Sequence, residues 1–493
     1  VSAALNTMAL GELLPELAFA QAHVTPRHLT LNSRDIQQGD VFIALPGLAT
    51  DGRNFIPQAL ERGAVAVLAE AEGLAANDER VVAVPALRDR LPLLAKQFYG
   101  DPSAAMSLIA VTGTNGKTSA VEFIAQLLRG IGVATGTIGT LGCRLTEQPA
   151  EAMNTTPDIV SLNRQLAEWR DNGIGHVAME ASSHALDQGR LNGLTLHTGV
   201  FTNLSRDHLD YHGTMEAYFE AKARLFRQVL DENGTVVVNL DDPKGAAIAA
   251  IAEAREIEVI TVGEDAPNAR LRITARRLDE RGQDLLFTWQ DDPYRARLSL
   301  IGGFQAMNVL VAAGLVIAAG AAPDAVFATL PRLEGVRGRM QLAATRANGA
   351  PVFVDYAHTP DALRTALLAL RPHVMGRLHV VFGAGGDRDR AKRPLMGAEA
   401  AAHADCITVT DDNPRSEDPA AIRAAILEAC PQAREVGDRA EAILRAVADL
   451  APGDALLIAG KGHETGQIVG DVTYPFDDLE QASLAVSALE GQQ

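Results

Sequence analysis

The chain reads as an α/β protein of three domains: a small N-terminal α/β domain, a central domain with a mostly parallel sheet, and a C-terminal doubly wound, Rossmann-like domain. Three observations predict this. Apolar strand-like runs alternate with helical patterns along nearly the whole sequence. A loop rich in Gly, Thr and Asn, Thr112–Lys117, separates one such strand from the helix pattern that follows it. A length of 493 residues exceeds what a single hydrophobic core supports.

The elements follow in order. In residues 1–101, Val41–Leu45 and Ala64–Glu70 are strand-like, and Phe55–Gly63 between them has helical spacing. Asp101 and Pro102 read as a linker. In residues 102–338 the strand candidates are Met106–Thr112, His176–Glu180, His197–Thr202, Thr235–Asn239 and Val259–Val262. Their continuous apolar character fits a parallel sheet covered on both faces. Helical patterns such as Asp158–Gly173 and Thr214–Leu230 fill the gaps. Ala269–Leu300 alternates instead and predicts antiparallel strands around a turn at Arg281-Gly282, before an Ala-rich helix over Ala306–Ala319. In residues 339–493, strands are predicted over Val352–Tyr356, Leu378–Gly385, Cys406–Thr410 and Ala455–Gly460, with helices such as Pro360–Leu370 and Arg439–Leu450. Ligand loops belong at the carboxyl ends of those strands.

Composition narrows the function. With 47% apolar and 22% charged residues the chain is neither disordered nor membrane-spanning. Its net charge of −18, from 44 Lys and Arg against 62 Asp and Glu, argues against nucleic acid as a partner. Anionic ligands would need local clusters of Arg and Lys. The three cysteines, Cys143, Cys406 and Cys430, lack the paired spacing of a zinc site or disulfide framework and suggest a reducing compartment. No secretory signal or transmembrane run is evident, so a cytoplasmic protein without membrane insertion is expected.

The loop Ala110–Ser119, AVTGTNGKTS, carries the clearest chemistry. Backbone N–H groups of such a loop and of the helix after it converge on phosphate oxygens. Lys117 supplies a point charge for the outer phosphates, and the Thr118 hydroxyl can ligand Mg²⁺. Val111 stands where the usual spacing has a glycine. Bound nucleoside triphosphate is the expectation. Polar loops follow the other strands too. Glu180 ends one strand, where a Mg²⁺ ligand belongs, although a strand-end Glu taken alone is more often an edge residue. Asp207, His208, Asp210 and His212 crowd one loop whose oxygen-rich surroundings suit magnesium with phosphate better than zinc. In the last domain, Asp355 and His358, then Arg388, Arg415, and Lys461 with His463 and Glu464, sit in four loops at corresponding strand ends.

Together TGTNGKTS, NTTPD (154–158), MEASSHALDQGR (179–190), FTNLSRDHLDYHGTMEAYFEAKARLF (201–226), DYAHTPDAL (355–363), GGDRD (385–389), DNPR (412–415) and GKGHE (460–464) resemble the Mur ligases of peptidoglycan synthesis. The resemblance spans nearly the whole chain, in order. It implies a UDP-binding domain over 1–101, a central P-loop ATPase domain over 102–338 and an amino-acid-binding domain over 339–493. It also implies a cytoplasmic, monomeric enzyme of cell-wall biogenesis, cell shape and cell division. ATP would phosphorylate a substrate carboxylate, and the amine of an incoming amino acid would attack the acyl phosphate to form an amide. DNPR matches members that add meso-diaminopimelate to UDP-N-acetylmuramoyl-L-alanyl-D-glutamate rather than lysine.

Site residues carry over position by position. Gly113, Thr114, Asn115, Gly116, Lys117, Thr118 and Ser119 would hold ATP phosphates, with Asn308, Arg339 and Asp355 at nucleotide contacts between domains. Thr118 and Glu180 would ligand one Mg²⁺, and His208 a second. Lys222 matches a lysine whose carbamate helps position the metal; nothing local singles it out from a solvated helical lysine. Leu31, Ser33, Asn154, Thr155, Thr156, Ser182, Gln188 and Arg190 match the UDP-muramoyl-dipeptide site. Arg388, Asp412, Asn413, Pro414, Arg415, Gly460 and Glu464 match the diaminopimelate site. Gln305 and Asn32 stand where the family often has Asn and Asp. The competing expectations are a lysine-adding ligase, a folylpolyglutamate synthase, which would lack the N-terminal unit, and a nucleotide-binding scaffold that has lost catalysis. Intact Lys117, Glu180, His208 and Lys222 argue against the last.

Overall fold

The computed structural model describes residues 8–491 apart from 18, 48–49, 77, 146–153 and 280. Residues 1–7, part of the stretch read above for a secretory signal, lie outside the described residues. Three large sheets appear along the chain. The first has four parallel strands, Leu29–Thr30, Val41–Ala44, Ala66–Glu70 and Val81–Val84, in chain order. Residues Val41–Ala44 are buried throughout, as a continuous apolar run between covering helices should be. The core beneath this sheet runs unbroken into one face of the central sheet, joining Val41 and Leu68 to Leu108, Leu166 and Val177.

The central sheet has ten strands. Its middle is parallel, with Ser107–Thr112 flanked by His176–Glu180 and Leu196–Phe201, and the carboxyl ends of these three neighbours meet at one edge. The predicted antiparallel region is present as Leu271–Asp279 and Gly282–Trp289. A third antiparallel strand, Asp292–Leu298, joins them. Another antiparallel pair, Thr135–Gly139 with Gly142–Arg144, closes the opposite edge. That pair was not anticipated; its strands, of five and three residues, are short and mix polar with apolar residues, which blurs the period of two. The helix Phe304–Ala318 is buried on nearly all sides against the helix Lys117–Gly130, which explains its lack of a polar face.

The last sheet has six strands, four of them the predicted ones, Pro351–Asp355, Leu378–Phe382, Cys406–Val409 and Ala455–Ala459. Ala455–Ala459 lies between the first two, with parallel pairing on both sides. The antiparallel strand Gln341–Thr345 caps one edge. A separate two-stranded hairpin, Gly466–Val469 with Val472–Pro475, was not foreseen. Among the described residues no helix is long and apolar enough to cross a membrane.

Candidate active site

The phosphate loop follows the buried strand Ser107–Thr112 and ends where the helix Lys117–Gly130 begins. Its shape is fixed from the neighbouring strand end. Thr114 N donates to the Asn203 carbonyl at 2.9 Å and Asn115 N to Asn203 Oδ1 at 2.8 Å. Thr202 Oγ1 donates to the Asn115 carbonyl at 2.7 Å. Gly113 has φ +148°, and a Cβ there would lie 1.9 Å from Thr202 Oγ1, so the loop can nest against this strand only as glycine. Lys117 Nζ curls back to the carbonyls of Gly113 and Thr114, at 3.0 and 2.8 Å. Burial pushes its pKa down while Glu180 and Asp207 oppose the shift.

Around the loop lies a cavity of about 520 Å³. It gathers Thr114 to Ser119, Glu180, His208, Lys222, Asn308, Arg339 and Asp355, every expected nucleotide and metal position except Gly113. Glu180 is 1% exposed, and its Oε1 accepts from Thr118 Oγ1 at 2.9 Å and from Thr140 N at 2.8 Å. Its Oε2 accepts no hydrogen bond from the described residues. Lys222 is equally buried, its Nζ donating to the Gly113 carbonyl at 2.7 Å and lying 4.3 Å from the Tyr218 ring. Burial, then the charge of Lys117, holds its pKa well below the usual lysine value. Arg339 crosses from the last domain, donating from Nη2 to Thr118 Oγ1 at 3.0 Å and stacking 4.6 Å over Tyr356. Asp355 accepts from Met340 N and Ala357 N at 2.6 and 2.8 Å, and burial raises its pKa. Asn308 Nδ2 donates to Gln305 Oε1 at 3.2 Å, so the departure at 305 still braces this amide.

A second cavity, of about 360 Å³, adjoins the first and shares Asp207, His208, Tyr356, His358 and Thr359 with it. It collects Arg388, Asp412, Asn413, Arg415, Gly460 and Glu464 from three loops of the last sheet; Pro414 is buried behind them. Asn413 Nδ2 donates to Glu464 Oε2 at 2.8 Å, and the fully buried Lys461 donates to both. Arg415 Nη1 donates to the Gly386 carbonyl at 2.8 Å.

The expected dipeptide-site residues are only partly brought together. Thr156, Ser182, Gln188 and Arg190 form one hydrogen-bonded group: Thr156 Oγ1 donates to the Glu180 carbonyl at 2.7 Å, and Arg190 Nη1 to the Thr156 carbonyl at 2.8 Å. Thr155 and Ser182 line the larger cavity, and Asn154 is exposed beside them. Leu31 and Ser33 stand apart, just after the first strand of the four-stranded sheet, and line neither cavity. Asn32 closes a local turn there, donating to Asp35 Oδ2 at 2.9 Å. Sequence reasoning missed Asn203, Tyr218, Tyr356 and Lys392, which shape the two cavities. For Asn203, its place at a strand's carboxyl end was the available signal.

The chain is similar to known proteins over nearly its full length. Profiles described as "Mur ligase family, catalytic domain", "Mur ligase middle domain" and "Mur ligase, glutamate ligase domain" match residues 26–99, 111–316 and 338–462. The UDP-N-acetylmuramoyl-L-alanyl-D-glutamate–2,6-diaminopimelate ligase of Bradyrhizobium diazoefficiens is 47% identical over 477 residues, covering 96% of this chain and 97% of its own. That of Caulobacter vibrioides is 47% identical over 469 residues, covering 94% and 95%. A solved structure of a ligase of that name aligns with a TM-score of 0.68 at 35% identity, covering 98% of this chain and 99% of that one. A folylpolyglutamate synthase of Mycobacterium tuberculosis complexed with ADP aligns at 0.63 and 20% identity, covering 76% and 92%, which marks a shared fold.

Proposed function

Since the chain belongs to the Mur ligase family, we propose that it adds meso-diaminopimelate, with ATP, to the D-glutamate of UDP-N-acetylmuramoyl-L-alanyl-D-glutamate in peptidoglycan synthesis. One observation carries the reading: a phosphate-loop cavity and an arginine-bearing cavity abut at Asp207, His208, Tyr356, His358 and Thr359. A carboxylate phosphorylated in the first would face an amine held in the second.

Each group then has a task. Loop N–H groups and Lys117 hold the β- and γ-phosphates, and Lys117 stabilises charge that grows on the migrating phosphoryl oxygens. Arg339 approaches the same hydroxyl as Glu180, which brings a guanidinium of the C-terminal region to the phosphate loop at Thr118. Thr156, Ser182, Gln188 and Arg190 orient the dipeptide, with Leu31 and Ser33 toward the uridine end. Arg388, Asn413, Arg415 and Glu464 hold the amino acid so that its free amine attacks the acyl carbon. Phosphate leaves through a tetrahedral intermediate as the amide forms.

Magnesium fits this donor set. The Glu180 carboxylate lies beside the Thr118 hydroxyl with both of its hydrogen bonds on Oε1, and among the described residues no group of three or more His, Cys, Asp or Glu converges. Such a site needs oxygens from phosphate or water, as magnesium does. Thr118 and Glu180 would hold one such ion and His208 a second, with a carbamate on Lys222 helping to position them. When bound, the cation neutralises phosphate charge. The reading extends to a cytoplasmic monomer and to the domain roles 1–101, 102–338 and 339–493.

The test is phosphate release from ATP and the UDP-dipeptide with a panel of amino acids. Meso-diaminopimelate exceeds lysine by one carboxylate, which the planar fork of Arg415 can grip while repelling lysine's ammonium. A site built around such a pair rejects the analogue by about 10⁴-fold. Arg415→Ala is expected to lose most of its kcat/KM for meso-diaminopimelate and to change little with lysine. Equal losses on both amino acids would remove Arg415 from substrate recognition.

A further inference from the structure

The hairpin Gly466–Val469 with Val472–Pro475 belongs to none of the three large sheets and leaves Val469, Val472 and Tyr474 about half exposed. An isolated two-stranded hairpin is marginal in water. Its partner is the DNPR loop. Arg415 N donates to the Ile468 carbonyl at 3.0 Å and Gly470 N to the Arg415 carbonyl at 2.7 Å, a parallel bridge between Arg415 and Val469. Ile468 N donates to Asn413 Oδ1 at 2.9 Å, and Gln467 Nε2 to the Asp412 carbonyl at 2.8 Å. The hairpin thus grips positions 412, 413 and 415 in register. Arg415 has φ +52°, a left-handed conformation that arginine seldom adopts. Backbone bonds on both sides of the residue hold it there.

We propose that this hairpin is the specificity brace of the ligase, with Gly470 and Gln467 as positioning residues that aim the Arg415 fork at the far carboxylate of the incoming amino acid. The inference rests on the reading of Arg415 given above. Gly470 sits at the tip with φ +59°. Proline there has no N–H and fixes φ near −65°, whereas asparagine keeps the N–H and tolerates positive φ.

The test compares kcat and KM for meso-diaminopimelate, lysine and ATP in Gly470→Pro, Gly470→Asn, Gln467→Leu and Arg415→Ala. Gly470→Pro is expected to raise KM for meso-diaminopimelate and to cut its preference over lysine by about tenfold or more, as loss of preorganisation should. KM for ATP should stay within about twofold, because the nucleotide cavity is untouched. Gly470→Asn should behave like the parent, and Gln467→Leu should shift the preference the same way by a smaller factor. If Gly470→Pro does not fold, Gln467→Leu decides. Full preference in both hairpin variants, or equal losses on both amino acids and ATP, would overturn the brace. Preference that survives Arg415→Ala would instead overturn the reading of Arg415.

Discussion

A lysine shut away from water with one carbonyl and one tyrosine ring for company is an expensive group to keep charged. Lys222 is 1% exposed, bonded to Gly113, and shifted well below the usual lysine range by burial and by Lys117. A neutral amine adds CO₂, releasing one proton and leaving a carbamate whose oxygens suit magnesium. Preparations made in bicarbonate are therefore expected to carry one CO₂ on this side chain by mass, and short carboxylic acids should partly restore Lys222→Ala. An active enzyme with a bare amine at 222 would defeat the idea. Lys117→Ala should cost catalysis more than nucleotide affinity, roughly 100-fold or more in kcat, because its charge matters most to the transition state. Near-normal turnover would end its role as phosphate cradle. The two lysines differ in how legible they are. Lys117 announces itself through its own loop. Lys222 is buried only because the helix Met215–Arg224 packs its face onto that loop, 109 residues away in sequence, and resemblance alone pointed to it.

At the scale of elements, periodicity made the long helices and the parallel strands legible, but not the contacts that pin them. Arg439 opens the helix Arg439–Ala448 and Asp478 opens Asp478–Glu490. Their side chains are fully buried against each other, with Nε–Oδ1 and Nη2–Oδ2 both 2.7 Å. The same guanidinium donates to the carbonyls of Ala459 and Asp411 at 3.0 and 3.3 Å, the residues just before Gly460 and Asp412. One ion pair thus fixes two helices and the roots of two ligand loops. Asp478→Ala strands a buried cation and should destabilise the protein by about 3–5 kcal/mol, whereas Arg439→Met with Asp478→Leu should cost much less. Denaturant midpoints decide this; a small, equal loss in both variants would mean that the pair is not desolvated. No local pattern marks such a pair, and the short hairpin Gly466–Pro475 escaped for the related reason that its meaning lies in a partner loop.

The molecule as a whole is held around its two cavities by cross-domain contacts, and Arg339 is the clearest. It reaches Thr118 in the central domain, stacks on Tyr356, and donates from Nη1 to His463 Nδ1 at 3.4 Å. An arginine can only donate, so His463 must be neutral at Nδ1 to accept. Burial, followed by the charges of Arg339 and Arg337, lowers its pKa to about 3. The linkage follows in sign. Above the ordinary histidine pKa, folded and unfolded states are both neutral and the contribution is complete. As pH falls below it, the unfolded chain takes up a proton that the folded one refuses, so stability declines until the pH nears 3. The slope cannot exceed about 1.4 kcal/mol per pH unit for one group. His463→Gln keeps an acceptor for Arg339 but cannot protonate. Between about pH 7 and pH 5, where histidine alone titrates by default, the variant should lose less of its thermal midpoint than the parent does. Parallel pH profiles in the two proteins would show that His463 is as free to protonate in the folded junction as in the unfolded chain, and Arg339 would then need no neutral partner.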